Sequence, residues 1–207
     1  PAGGGDLNVD SGTLFVDAST NRVGIGTSSP LRSLHISGAG DTSLMLQTTN
    51  AVNDNEIWEM QVAGNASNYA DLIFRKRTNA GTGGSEAVRI DSSGNLLVGT
   101  TNNAQYAVTS GGDVGLCYQA NNSFAVARQD GVVSYLNRVG TDGAIEVFRK
   151  NGSTVGSIGV DGSLSRLHIG NSNSSSFSAG LSFAGSGGIY PFDAFARTNV
   201  DNQIDLG

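Results

Sequence analysis

The sequence predicts an all-β protein built from repeated strand-and-hairpin modules. Three observations lead there. Apolar residues alternate with polar ones at a period of two, as in Val23-Gly-Ile25 and Trp58-Glu-Met60-Gln-Val62. The runs are short and are separated by Gly, Asn, Asp and Ser, which supply turns. Whole segments recur further along the chain. Asn55 to Ala63 is the nearest approach to a helix, and its apolar residues keep the period of a strand. The absence of heptads excludes a coiled coil.

Residues 1–12 are Gly-rich and read as a lead-in or linker. Leu14-Phe15-Val16 reads as a strand. Asp17 to Asn21 supplies turn chemistry, because Asp and Asn bond to their own backbone and tolerate left-handed angles. Val23 and Ile25 then alternate with Gly24 and Gly26. Pro30 marks a corner, since it cannot donate to a ladder. Leu34-His35-Ile36 is the next strand. Downstream, Asn151-Gly152 between Phe148 and Val155 is the clearest hairpin signal.

The repeat ties these pieces together. Gly40 to Gln47 matches Gly112 to Gln119, and Phe74-Arg-Lys76 matches Phe148-Arg-Lys150. Val16-Asp17 through Gly26-Thr27 matches Ile90-Asp91 through Gly99-Thr100, with one residue fewer in the second turn. Leu31 to Ile36 matches Leu164 to Ile169. The expected organisation is a lead-in and junction hairpin (1–36), a first module (37–108), a second (109–169) and a partial third (170–207). In the second module, Val133, Tyr135 and Leu136 take the strand position held in the first by Trp58, Met60 and Val62. The element from Thr13 to Ile36 becomes a junction, whose Gly24 and Gly26 are explained by close approach of backbones between chains.

Composition limits what one chain can bury. Only 38% of residues are apolar and 14% charged, with 30 glycines, so the chain is turn-rich and has a thin core. With a net charge of only -6 and regular alternation, disorder is the poorer reading. A core shared between chains in an intertwined oligomer is the better one. Mild acidity argues against nucleic acid, and the short cluster Arg75-Lys76-Arg77 reads as a solvated hairpin face. No apolar run approaches the roughly 20 residues of a membrane span. Beginning at Pro1, the chain reads as a fragment or a processed product. The single Cys117 reads as buried.

No catalytic constellation stands out. Glycan-cleaving sites pair two carboxylates, one to donate a proton and one to attack or activate water. Glu56, Glu59, Asp71, Glu86 and Glu146 are present without special context. Asp17, Asp91 and Asp161 lie in turns. His35 and His168 occupy equivalent repeat positions, each expected to point outward between two apolar neighbours and lacking a second ligand at metal-like spacing. Asp91 to Asn95 lacks the carboxylates of a calcium loop, and Gly24-Ile-Gly26 is not a nucleotide loop. The expectation is a non-enzyme with no cofactor and no metal. For binding, exposed loop aromatics are the usual sugar platforms. Tyr69, in the polar run 65–70, and Tyr190, in Gly-Gly-Ile-Tyr-Pro, are the candidate receptor contacts. Trp58 and Tyr106 sit in strand-like runs and read as core.

Val23-Gly-Ile-Gly-Thr-Ser-Ser-Pro30 followed by Leu34-His-Ile36 resembles a signature of tail fibre and tailspike proteins of tailed bacteriophages. Phe148-Arg-Lys-Asn-Gly-Ser-Thr-Val-Gly-Ser-Ile158 and the ending Asn202 to Gly207 resemble segments found ahead of a C-terminal intramolecular chaperone in that family. The resemblance implies an elongated, intertwined homotrimeric fibre of β-sandwich-like or triple-β-helix modules. It implies a virion structural protein that attaches to a host glycan or protein receptor and joins other tail or baseplate proteins. A polysaccharide-degrading spike and a purely mechanical spacer are the alternatives.

Overall fold

The computed structural model of the chain describes residues 5–48, 57–64, 70–109, 114–161, 166–171, 179–183, 188–193 and 198–199, with the backbone alone at 161, 179, 190–193 and 198–199. It is all-β, with 52% strand, no helix of 7 or more residues, several antiparallel sheets and no closed barrel among the described residues. The chain forms two compact units, Pro1–Val133 and Ser134–Gly207.

The first unit opens with a four-stranded sheet of β1 (Leu7–Val9), β2 (Leu14–Asp17), β3 (Arg22–Ile25) and β4 (Leu34–Ile36), in that order. The expected lead-in is therefore partly structured: Leu7 to Val9 pairs antiparallel with β2. The corner at Pro30, whose carbonyl accepts a 3.0 Å bond from Arg22, turns the chain so that β4 runs parallel to β3.

A seven-stranded antiparallel meander follows. It comprises β5 (Thr42–Gln47), β6 (Ile57–Gly64), β7 (Ala70–Arg77), β8 (Ser85–Ile90), β9 (Leu96–Val98), β10 (Gly115–Tyr118) and β11 (Phe124–Ala127), each beside the next in sequence. The boundary expected at 108/109 falls inside this sheet, because β9 and β10 pair across it. Residues 128–142 form no strand, so the one expected through Val133, Tyr135 and Leu136 is absent. Left-handed backbone at Asp130, Gly131 and Gly140 bends the chain on both sides of it.

The second unit is a six-stranded antiparallel sheet of β12 (Gly143–Lys150), β13 (Ser153–Asp161), β14 (Arg166–Gly170), β15 (Ala179–Phe183), β16 (Ile189–Asp193) and β17 (Thr198–Asn199). Its first hairpin is the one Asn151-Gly152 predicts. Lys150 pairs with Ser153, and both turn residues take positive φ, 51° and 79°, as the mirror-image tight turn requires.

The sequence repeat is also a structural repeat. The Asp17 carboxylate accepts the backbone N–H groups of Ser19 (2.9 Å) and Thr20 (3.0 Å). That of Asp91 accepts those of Ser93 (2.9 Å) and Asn95 (3.0 Å). Gly26 donates to the Thr13 carbonyl at 3.1 Å, and Gly99 to the Ala87 carbonyl at 3.0 Å. The hydroxyls of Thr27 and Thr100 each accept the N–H two residues on, at 3.1 and 3.0 Å. Asp, Gly and Thr thus hold equivalent places in both turns, while the second backbone N–H capped by the aspartate differs, three residues on in the first turn and four in the second. The structure also corrects the reason for the glycines. A β-carbon on Gly24 would run into the Thr27 carbonyl, and one on Gly26, at φ +73°, into the Ser37 carbonyl. The close approach lies within one chain.

Candidate functional site

The seven-stranded sheet has two unlike faces, and its register shows why. Residues directly opposite on paired strands share a face. Leu44, Met60, Phe74, Val88, Val98, Leu116 and Val126 form one unbroken apolar row, one residue from each strand. A parallel row on the same face runs Thr42, Val62, Leu72, Ile90, Leu96, Tyr118 and Phe124. Leu46 beside Trp58 extends the face at one end.

This face is open in the single chain. Trp58 is 50% exposed, Met60 43% and Phe124 64%. Leu44, Leu46, Trp58, Met60 and Phe74 surround an open hollow of about 210 Å³. The expectation that Trp58 and Tyr106 fill a core is overturned for the isolated chain, since Tyr106 is 74% exposed. Strand periodicity says only that alternate residues share a face; it leaves open which face the chain covers.

The opposite face is covered. It carries Ile57, Ile73, Leu97 and Cys117, all buried, with Glu59 and Gln61 buried among them. Glu59 accepts a 2.6 Å bond from Arg77 Nε. Gln61 donates to Asp41 at 2.9 Å. Arg89 donates to both oxygens of Glu86 at 2.7 Å and also pairs with Asp71; Arg75 lies 3.7 Å from Glu86. The loops close over these groups. Gly83 accepts from Arg77 at 3.0 Å, and Gly81 lies against Met45. At the far end the Asn103 carbonyl accepts from Gln119 at 2.7 Å and from the Cys117 thiol at 3.5 Å. The cluster Arg75-Lys76-Arg77 is therefore split: the two arginines are half-buried in ion pairs, while Lys76 is exposed.

Charge on this face is matched. Burial alone pushes the Glu59 carboxyl up, but hydrogen bonds from Arg77 and Ser43 and the charges of Arg77 and Arg75 outweigh it and hold the group below its ordinary range. The Glu86 hydrogen bond raises the Arg89 guanidinium against burial. Burial pushes the Cys117 thiol up, with the Asp91 charge adding to it. Glu59, held ionised by Arg77, is poorly placed to donate a proton, and Asp71 and Glu86 are both engaged by Arg89, so the three carboxylates on this face read as a structural network. Among the described residues, no group of three or more His, Cys, Asp or Glu is arranged to hold a metal ion.

The remaining candidates fall as follows. Tyr69 and Glu56 lie outside the described residues. Tyr190 lies in β16 with its backbone opposite Ser182, and its side chain is outside what is described. His35 accepts the Leu31 N–H at 3.4 Å. His168 is buried while Leu167 and Ile169 on either side are exposed, the reverse of the expected outward histidine. Each histidine stands opposite a glycine, Gly24 or Gly159, on the neighbouring strand. On its other neighbouring strand His168 faces the small, buried Ser182.

Compared with protein-family models, curated proteins and solved structures, the chain gave no match in any of the three. What it does is therefore argued from its own residues.

Proposed function

We propose that the chain is a structural and adhesive segment of a homotrimeric phage tail fibre, carried on the virion and engaged in attachment to the host. The observation that carries this reading is the open apolar face. The seven strands pair within one chain, yet much of the apolar surface on this face is left exposed, Met60 at 43%, Val62 at 47% and Phe124 at 64%. A protein that makes its strands alone and its core in company suits an assembly of identical chains. The phage assignment rests on the motifs at Val23–Pro30, Leu34–Ile36 and Phe148–Ile158. Attachment would be multivalent and non-covalent, three copies raising avidity without a tight individual site. Other tail or baseplate proteins and a host glycan or protein are the partners this implies.

The test is retention on bacterial capsule or lipopolysaccharide. Binding of the assembled protein without release of reducing ends is the expected result. Released reducing ends would replace the adhesin with a glycan-cleaving spike. Absence of both, with virion adsorption intact, would leave a mechanical spacer.

A further inference from the structure

We propose that the apolar face centred on Met60 and Trp58 is the surface on which further copies of this chain pack, with the ion-paired face turned outward. The inference rests on the trimeric reading above and specifies its contact surface.

Three observations select a second copy as the occupant. The first is size. Large apolar side chains more than a third exposed lie along the whole sheet, from Leu46 (66%) and Trp58 (50%) at one end to Phe124 (64%) at the other, a contiguous patch larger than the scattered apolar residues of an ordinary monomer surface. The second is chemistry. The two rows hold no charged side chain and offer few hydrogen-bonding groups, and the Tyr118 hydroxyl is already 3.1 Å from Asn122; the exposed Lys76, opposite Trp58, borders them at one end. Predominantly apolar faces are characteristic of permanent, same-chain interfaces rather than of occasional partners. A partner present at all times and in equal amount is the chain itself. The third is asymmetry of cover. The loops at 78–84 and 99–109 and the four ion pairs among the described residues of the sheet serve the opposite face, most of which is covered within one chain. Sheets pack face to face at about 10 Å with their rows interdigitated, and straight rows of Leu, Met, Phe and Val suit that arrangement.

Two methionines provide a matched test. Met45 and Met60 are equally exposed in the single chain, 42% and 43%, but lie on opposite faces of the sheet. Met60→Asp and Met45→Asp would be compared with the unaltered 207-residue chain by sedimentation and native mass measurement. The expected result is assembly weakened at least about a hundredfold by M60D, since burying an unpaired carboxylate is heavily penalised, and little changed by M45D. Assembly by M60D as strong as that of the unaltered chain overturns the proposal while leaving the trimeric reading in place. An unaltered chain that stays monomeric overturns both and assigns the face to another protein. If M60D does not fold, Trp58, the single tryptophan, reports without any substitution. Blue-shifted emission shielded from acrylamide in the oligomer, lost on dilution, supports the proposal. Emission that stays red and quenchable in the oligomer overturns it.

Discussion

The two faces of the seven-stranded sheet are made by the same strands, yet one is finished and the other is not. On the finished face the chain buries Ile73, Leu97 and Cys117 and neutralises Glu59 with Arg77. On the open face Leu46, Trp58 and Val62 are 66%, 50% and 47% exposed. A sheet normally turns its apolar side toward its own core and its charges toward water. Here the most charged side is the one its own loops cover. Strand pairing and side-chain burial are thus separable in this protein: the first joins seven strands within one chain, and the second is left half done.

That contrast can be broken by substitution. The largest effect belongs to Leu97→Ala. Leu97 is 1% exposed on the finished face, and its truncation is expected to cost about 2–5 kcal/mol. Urea unfolding should show the loss equally at every protein concentration. A concentration-dependent loss would mean that this face, too, is completed by another chain.

Gly26→Val comes next. A side chain at φ +73° facing the Ser37 carbonyl is expected to cost more than about 2 kcal/mol. The expected outcome is an unfolded first unit, seen by amide exchange at β2 and β3. A folded chain that fails only to associate would restore the inter-chain explanation of this glycine.

Glu59 sharpens the comparison through pH. Its carboxyl is held below its ordinary value near 4.5, so folding is stabilised above that value and the contribution is lost as pH falls through the lower folded value. Unfolding free energy should therefore drop below about pH 4.5, and Glu59→Gln should flatten that dependence. The variant should also cost about 1–3 kcal/mol at neutral pH, because Arg77 loses its charged acceptor. A pH profile unchanged by E59Q would remove the ion pair from the account of this face.

The smallest effect is expected for Leu46→Ala on the open face, at 66% exposure in one chain. It should change stability by less than about 0.5 kcal/mol where the protein is dispersed, and lower it only at concentrations where copies associate. A large loss in the dispersed chain would show that the face is covered from within.

Much of the fold was legible in the sequence because it depends on neighbours along the chain. The period of two in Trp58-Glu-Met60-Gln-Val62 identifies a strand, Asn151-Gly152 identifies its tight turn, and Asp17 and Asp91 identify two equivalent caps. Each of these is decided within a few residues by backbone angles and short-range hydrogen bonds. The expected strand through Val133–Leu136 failed where its flanking residues, Asp130, Gly131 and Gly140, bent the chain instead. The candidate site was less legible. Alternation sorts residues into two sets but carries no sign saying which set is covered, so it cannot place Trp58 inside or outside the single chain's core.

What the sequence alone determined, then, is local: strands, turns, and the recurrence of one junction. Tertiary structure decided the rest. It joined β9 to β10 across a repeat boundary, brought Glu59 to Arg77 and Asp71 to Arg89, and laid its loops over that side. The physical reason is that register and loop path are set by contacts between residues far apart in the chain. Those contacts determine which face is covered, and alternation reads the same with either face inward.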